Sequence, residues 1–459
     1  MLHILGWHPE MRRLPLLTAL FACLAAPSAA GAATIYVVKG GGLGHGVGMS
    51  QYGAQGFAQH GWNYRRILTH YYSHTKIGRA STRNIRVLLR SGGGVYVGHV
   101  SRAGSKRLNP NARYAARVRS GRIELRGPNG HRVARAHRLR LRGPRGYTRL
   151  GSGYRGVMEL RPSGGGVMAI NIVPLDAYVQ GVIPGEMPSS WRPEALKVQA
   201  VAARSYALAT DRGGSLFDQY SDTRSQVYLG MGAEQPSTNA AARATAGQVV
   251  LYHGRVATTY YSSTSGGRTE NIENVFYGSP STAYLRGVKD PYDGISPRHR
   301  WQFRFSASSL NSRLGAQCPG SFRRIRILKR GYSPRVVRAQ VICSRGRVRA
   351  SGQTLRSELG LYDTWFTVTR ASSKASHKSA AGVTVPLLSG LVHPRTISGS
   401  FDPLPSHGFV DVQKLDGGRW VLVARGLTNR LGQYSVPVYE GGTYRVSADG
   451  VSAPSLDVH

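Results

Sequence analysis

The longest helical pattern in the chain runs over residues 194–210, EALKVQAVAARSYALAT. It contains no Gly or Pro and is dominated by Ala, Leu, Lys and Arg, which cost little in a helix. Pro193 falls at the first helical position and Glu194 in the first turn, both favoured at a helix start. Glu194, Lys197 and Arg204 recur at helical spacings and predict one polar face. Most other positions are Ala, Val, Leu or Tyr, so little of this helix can meet water. Two helices are predicted earlier. One starts near Ser50, a good cap, with Tyr52, Ala54, Phe57 and Ala58 behind it; the other covers Tyr64 to Tyr72. A short helix is expected at about 237–245.

Strand-like alternation marks TIYVV (34–38), NIRVLLR (84–90), GVYVGHV (94–100), ARYAARVR (112–119), RIELRG (122–127) and HRLRLRG (137–143). In RLRLR, apolar residues alternate with Arg, which predicts one buried and one cationic face. PNG (128–130) is a hairpin turn candidate. Residues 154–182 read as strand and then short helix, leading into a loop around Glu186. QVVLYHG (248–254) and VATTYYSSTSGG (256–267) read as strands. A polar linker is expected at 371–385. Beyond it, 386–459 alternates apolar and polar at close turn spacing, as a small immunoglobulin- or prealbumin-like β-sandwich does. The fold class predicted is α+β: a mixed helix/strand domain over 34–370 with a β-rich basic subdomain at 79–161, followed by a small all-β module.

Composition adds a strong charge. The 459 residues carry a formal net charge of +39, and 41% hydrophobic content argues against a disordered chain. Residues 79–161 hold 21 Lys and Arg against two acids, Glu124 and Glu159. Such a field implies an acidic partner, and nucleic acid, anionic envelope polymers or a membrane surface all fit it. The start narrows the choice. Met11-Arg12-Arg13, a short apolar run and a small-residue end at Gly31-Ala32-Ala33 read as a secretory signal over 1–33. Leu20-Phe21-Ala22-Cys23 only faintly resembles a lipoprotein cleavage site, because Phe21 is poorly suited to it. Export argues against nucleic acid and favours acidic wall polymers. It also leaves Cys318 and Cys343, for which one disulfide in an oxidising compartment is the simplest account.

Candidate chemistry begins at Ile183-Pro184-Gly185-Glu186-Met187-Pro188. Glu186 is a lone acid beside apolar Met187 and Trp191, where a carboxyl has its charged form disfavoured and suits a general acid. Spacing alone fits a capping or paired glutamate as well. The opening, KGGGLGHGVGMSQYGA, is a glycine-rich loop that lacks the G-K-[ST] ending of a phosphate-binding loop. His45 within it reads either as a cleft residue or as a histidine bonded to backbone, and it has no metal-ligand partner at useful spacing. Tyr261 to Glu270, YSSTSGGRTE, is a hydroxyl-rich turn suited either to sugar contact or to ordinary turn building. Ser263 and Ser265 lie in no nucleophile elbow. No cofactor and no metal site are expected.

The run I-P-G-E-M-P-x-x-W-x-P-E-A-L-K-x-Q-A-V-A-A-R-S-Y-A resembles the signature of the stage II sporulation protein D family, which includes amidase-enhancer proteins. G-H-G-V-G-M-S-Q-Y-G-A and the Tyr261 turn resemble the family's other two motifs, and 352–368 resembles its closing helix and strand. The resemblance implies a lytic transglycosylase that cleaves peptidoglycan glycan strands with stem peptides removed, with Glu186 as the acid. It implies substrate contact by His45, Ser50, Gln51, Tyr52, Arg204, Tyr261, Ser263, Thr264 and Ser265. The family's other branch implies instead a wall-binding enhancer of an amidase. One departure stands out: the G-H-G motif comes first here and near the end of the domain in many members, and it can still meet the Glu186 motif in space if the domain termini are close. Where some members carry zinc-binding cysteines, 218–230 has Ser221 and Ser225.

Overall fold

The computed structural model describes residues 34–81, 83–371, 395–400, 409–428, 433–438, 441–448, 451–453 and 455–458. The stretch read as a secretory signal, Cys23 and nearly all of the expected linker lie outside them. The described residues form a mixed α+β fold with seven α-helices. None of these helices is long and apolar enough to cross a membrane.

The opening strand Ile35–Gly40 is the centre of a three-stranded antiparallel sheet, flanked by Trp301–Ser306 and Phe366–Ala371. The first strand therefore lies beside the last strand of the domain, and the glycine-rich turn that follows is delivered to its middle. Leu43 bridges to Thr264 and Val47 to Glu270, and Met49–Ser50 pairs in parallel with Tyr261–Ser262. The first strand lying beside the last thus accompanies contact between the G-H-G turn and the Tyr261 turn.

Helix α1 (Gln51–Gln59) starts at Ser50, whose hydroxyl accepts the Gly53 amide at 3.1 Å. Helix α2 (Tyr64–Tyr71) is capped by Asn63. Helix α3 (Leu175–Glu186) and helix α4 (Pro193–Ala209) follow, with α5 at Pro236–Ala244, α6 at Ala307–Leu314 and α7 at Gly352–Leu359. As its composition predicts, α4 is the hub: α1, α2, α3 and α5 all pack against it, and its alanines allow close approach. Its predicted polar face is only partly right. Lys197 pairs with Glu194 at 2.6 Å, whereas Arg204 is fully buried.

The basic region forms strands at Tyr114–Arg119, Arg122–Arg126, Arg132–Ala136 and Leu139–Arg142. The alternation is kept: Leu139 and Leu141 are buried, Arg140 and Arg142 exposed. Glu159 is buried and accepts Arg138, Arg140 and Arg161 at 2.6–2.8 Å. The strand expected over 256–267 is broken. Only Arg255–Val256 and Tyr261–Ser262 form ladders; Thr264 makes an isolated bridge to Leu43, and the amides of Ser265, Gly266 and Gly267 donate to side chains instead.

The described residues between 395 and 458 form two antiparallel sheets around one core that includes Ile397, Val410, Val412, Val436 and Val446. Cys318 and Cys343 are disulfide-bonded, with Cα atoms 5.6 Å apart. The crosslink closes a loop of 25 residues. Cys318→Ser with Cys343→Ser should lower unfolding free energy by about 3 kcal/mol, read by denaturant titration. An unchanged midpoint would mean the bond does not constrain the unfolded chain.

Candidate active site

Glu186 is not in a loop. It is the last residue of α3, which runs on through Pro184. Proline loses only one helix bond so near the end, and its fixed φ suits the helix. Gly185 lets the segment 218–230 lie close: a Cβ there would sit 2.8 Å from the Val227 carbonyl oxygen. That approach places the Val227 amide 2.8 Å from Glu186 Oε1, to which it donates. On the other side, Gln51 Nε2 donates to Glu186 Oε2 at 3.2 Å and to its backbone oxygen at 3.1 Å. Gln51 reaches this point as the first residue of α1, so the glycine-rich turn supplies one wall of the site.

Glu186 is half-buried as a residue, and both of its carboxyl oxygens accept hydrogen bonds from protein. Burial pushes its pKa up; the Val227 amide, Gln51 and Tyr261 pull it down by less, so the group retains its proton above the usual carboxylate range. Its place at a helix C-terminus, the negative end of the macrodipole, acts in the same direction as burial. None of the groups bonded to Glu186 is an acid.

Sequence reasoning missed a layer of amides behind it. Gln199 Oε1 accepts Gln51 Nε2 at 3.4 Å, and Gln199 Nε2 is buried without a hydrogen-bond partner among the described residues. Gln226 Oε1 accepts the Tyr261 hydroxyl at 2.8 Å, while its Nε2 donates to Tyr178 at 3.1 Å. The available signal was Gln199 among the Ala and Val residues of α4.

The remaining candidates divide. Tyr52 and Trp191 are partly exposed and pack edge to face, ring centroids 4.9 Å apart. Tyr261 touches the Glu186 shell, and Ser263 is half-buried, its carbonyl accepting the Tyr52 amide. Five others are occupied elsewhere. His45 Nδ1 accepts the Val47 amide at 3.0 Å, and burial with Arg335 and Arg356 nearby lowers its pKa to about 4. It is a neutral histidine bonded to backbone. Arg204 donates to Asp176 and to the carbonyls of Ala200, Gln248 and Ala242, so it ties helices together and is not free for substrate. Thr264 bonds Ser296 at 2.7 Å. The Ser50 hydroxyl accepts the amides of Gly53 and Ser265. Ser265 itself donates towards Asp290 at 2.7 Å and Asp293 at 3.0 Å. These hydroxyls build the turn, because a sharp buried turn leaves amides and carboxyls that need partners.

A fully buried ion pair clamps the arrangement. Arg335 meets Asp363 at 2.7 Å and donates to the carbonyls of Ser265 and Arg268 at 2.9 Å. Gly46, at φ +74, lies against its guanidinium, where any Cβ would collide. Beneath the turn, Asp290 accepts Tyr71 and Ser265; burial and the neighbouring Asp293 raise its pKa to about 7. A folded-state pKa above the unfolded value contributes stability that is present at low pH and lost as pH climbs through about 7. Denaturant titrations at pH 5 and pH 8 should therefore find the chain more stable at pH 5, and Asp290→Asn should reduce that difference. An undiminished difference would assign it to other groups. No group of three His, Cys, Asp or Glu side chains among the described residues could hold a metal ion.

An α+β domain offering one proton-retaining carboxyl among neutral donors is the class that fold and site define. Residues 163–252 match the family model described as stage II sporulation protein. The chain is 32% identical over 211 residues to stage II sporulation protein D of Bacillus amyloliquefaciens, covering 42% of this chain and 59% of that protein. It is 36% identical over 172 residues to an uncharacterized protein of Brachyspira hyodysenteriae, covering 37% and 46%. It is 41% identical over 135 residues to the amidase enhancer of Bacillus subtilis, covering 29% and 18%. The chain therefore carries a domain of the stage II sporulation protein D and amidase-enhancer family. It spans less than two thirds of each of these relatives.

Proposed function

We propose that the protein acts in the bacterial cell envelope as a lytic transglycosylase of peptidoglycan glycan strands. The observation that carries this reading is the Glu186 carboxyl, proton-retaining and bonded only to neutral groups. In the proposed reaction Glu186 gives its proton to the glycosidic oxygen as the bond from that oxygen to C1 breaks. The carboxylate left behind is held by the Val227 amide and Gln51. It then takes the proton of the sugar's own 6-hydroxyl as O6 bonds to C1, closing a 1,6-anhydro ring. The acid is regenerated and no water is consumed, so one carboxyl serves both steps; hydrolases usually need two. Tyr52 and Trp191 offer aromatic faces for sugar rings beside it. The exposed arginines of the β-rich region suit acidic wall polymers, an attraction that salt weakens.

Mass spectrometry of peptide-free strands after incubation with the protein tests the reaction. Anhydro-ended fragments are expected. Reducing-end fragments would make it a hydrolase and require a second carboxylate. The identity to an amidase enhancer supports a second reading, a non-catalytic wall-binding partner of an amidase. That reading predicts strand binding without any fragments.

A further inference from the structure

The β-rich region holds a cavity of about 450 Å³ whose polar and aromatic lining is Tyr96, His99, Asn111, Arg113 and Arg149; no acid lines it. It shares no residue with the Glu186 shell. Its size falls within the ~300–1,000 Å³ of small-molecule sites.

The walls are built in advance of any ligand. Val95 and Val97 point into the core, so strand alternation turns Tyr96 outward, where it is 53% exposed. The Arg113 guanidinium lies 4.5 Å from its ring centroid. The loop carrying Asn111 and Arg113 is braced at Asn109, which donates its amide to the Tyr114 hydroxyl at 2.9 Å and accepts that hydroxyl at 3.0 Å. Opposite, Gly98 and Arg149 exchange backbone bonds at 3.0 and 2.9 Å. His99 is held at φ +52, a costly conformation for a residue with a Cβ, and is stacked on Tyr147 at 4.1 Å. Its Nε2 is buried and has no hydrogen-bond partner among the described residues.

A surface that only attracts polyanions needs scattered arginines and no cavity. Here two arginines are combined with an aromatic face, an amide and an imidazole ring on the lining. A sugar ring offers an apolar face to an aromatic ring and hydroxyls to amide and imidazole, while a carboxylate on it meets guanidinium. We propose that this cavity is a second saccharide site, taking a sugar that carries a carboxylate. It would grip a glycan strand away from the reacting bond. The choice of sugar rests on the glycan reading of the Glu186 site.

Saturation-transfer NMR of the full chain with N-acetylmuramic acid, with N-acetylglucosamine as its neutral counterpart, tests the proposal. Tyr96→Ala and Arg113→Ala should each weaken one component of N-acetylmuramic acid binding about tenfold. Glu186→Gln should leave that component unchanged, and N-acetylglucosamine should bind it more weakly. Binding that neither Tyr96→Ala nor Arg113→Ala alters would overturn the proposal. So would full displacement by inorganic phosphate with no effect of Tyr96→Ala, which describes a simple anion surface. Fragment formation is read separately: its absence beside Tyr96-dependent binding would sink the transglycosylase reading alone, and the converse would sink this site alone.

Discussion

Glu186→Gln should lose anhydro-fragment formation by about 10²- to 10⁴-fold, the usual worth of a general acid–base group. The amide has nearly the size of the acid and can still accept the Val227 amide, but it has no acidic proton to give to the leaving oxygen. The wild-type rate should also fall as pH rises through the raised pKa of Glu186, because the first step needs the protonated form. Stability separates this loss from unfolding. A carboxyl whose folded pKa is raised makes its contribution at low pH and loses it as pH rises through that pKa. The neutral amide escapes that loss, so the variant should unfold at no lower denaturant concentration than wild type at neutral pH. Fragment assays and denaturant titration on the same samples check both halves. Full activity in Glu186→Gln would remove this residue from the mechanism.

The largest expected stability effect belongs to Asp363→Ala. It leaves the Arg335 guanidinium buried without its counter-charge, which typically costs about 3–5 kcal/mol. Since Arg335 also holds the Ser265 and Arg268 carbonyls and abuts Gly46, the damage should spread to the turn that presents Gln51. Fragment formation should therefore drop at temperatures where the variant is still folded. Replacing both partners together, Arg335→Met with Asp363→Leu, should recover much of the stability, because no charge then stays buried. Chemical denaturation of the three proteins decides it. A single variant as stable as wild type would mean that the pair is not a clamp.

The contrast between these two acids shows what could be read in advance. The apolar setting of Glu186 was legible because its neighbours are local: prolines, a glycine and apolar residues lie within a few positions of it. Its role was not, since spacing alone fits a capping or paired glutamate as well. Helix α4 was legible for the same reason, being one periodic run. Asp363 and Arg335 gave no signal. Their partners are the Ser265 turn and Gly46, hundreds of positions away in part, and an isolated Arg or Asp looks like surface. Arg204 misled in the same way, since helical spacing reports a shared face but not whether that face meets water. The hydroxyl-rich turn was read for what hydroxyls can offer a sugar. Which of them face inward depends on Asp290, Asp293 and Ser296, which fold back from beyond the motif. His45 left two readings open, and the Val47 amide chose between them.

The central position of strand Ile35–Gly40 also bears on the order in which the chain can be assembled. Ile35 pairs with Ser306 on one side and Ala371 on the other. As a polypeptide lengthens, this strand and the glycines behind it emerge before the other described elements yet have no described sheet partner until residues 301–371 exist. Closing so large a loop is slow compared with forming local contacts. The helices around α4 and the hairpins of the basic region can settle meanwhile, but Gln51 cannot be fixed against Glu186 by this sheet until the last strand arrives. A nascent or partly unfolded chain therefore holds Glu186 without the wall that Gln51 supplies, and the two come together only with completion of the fold.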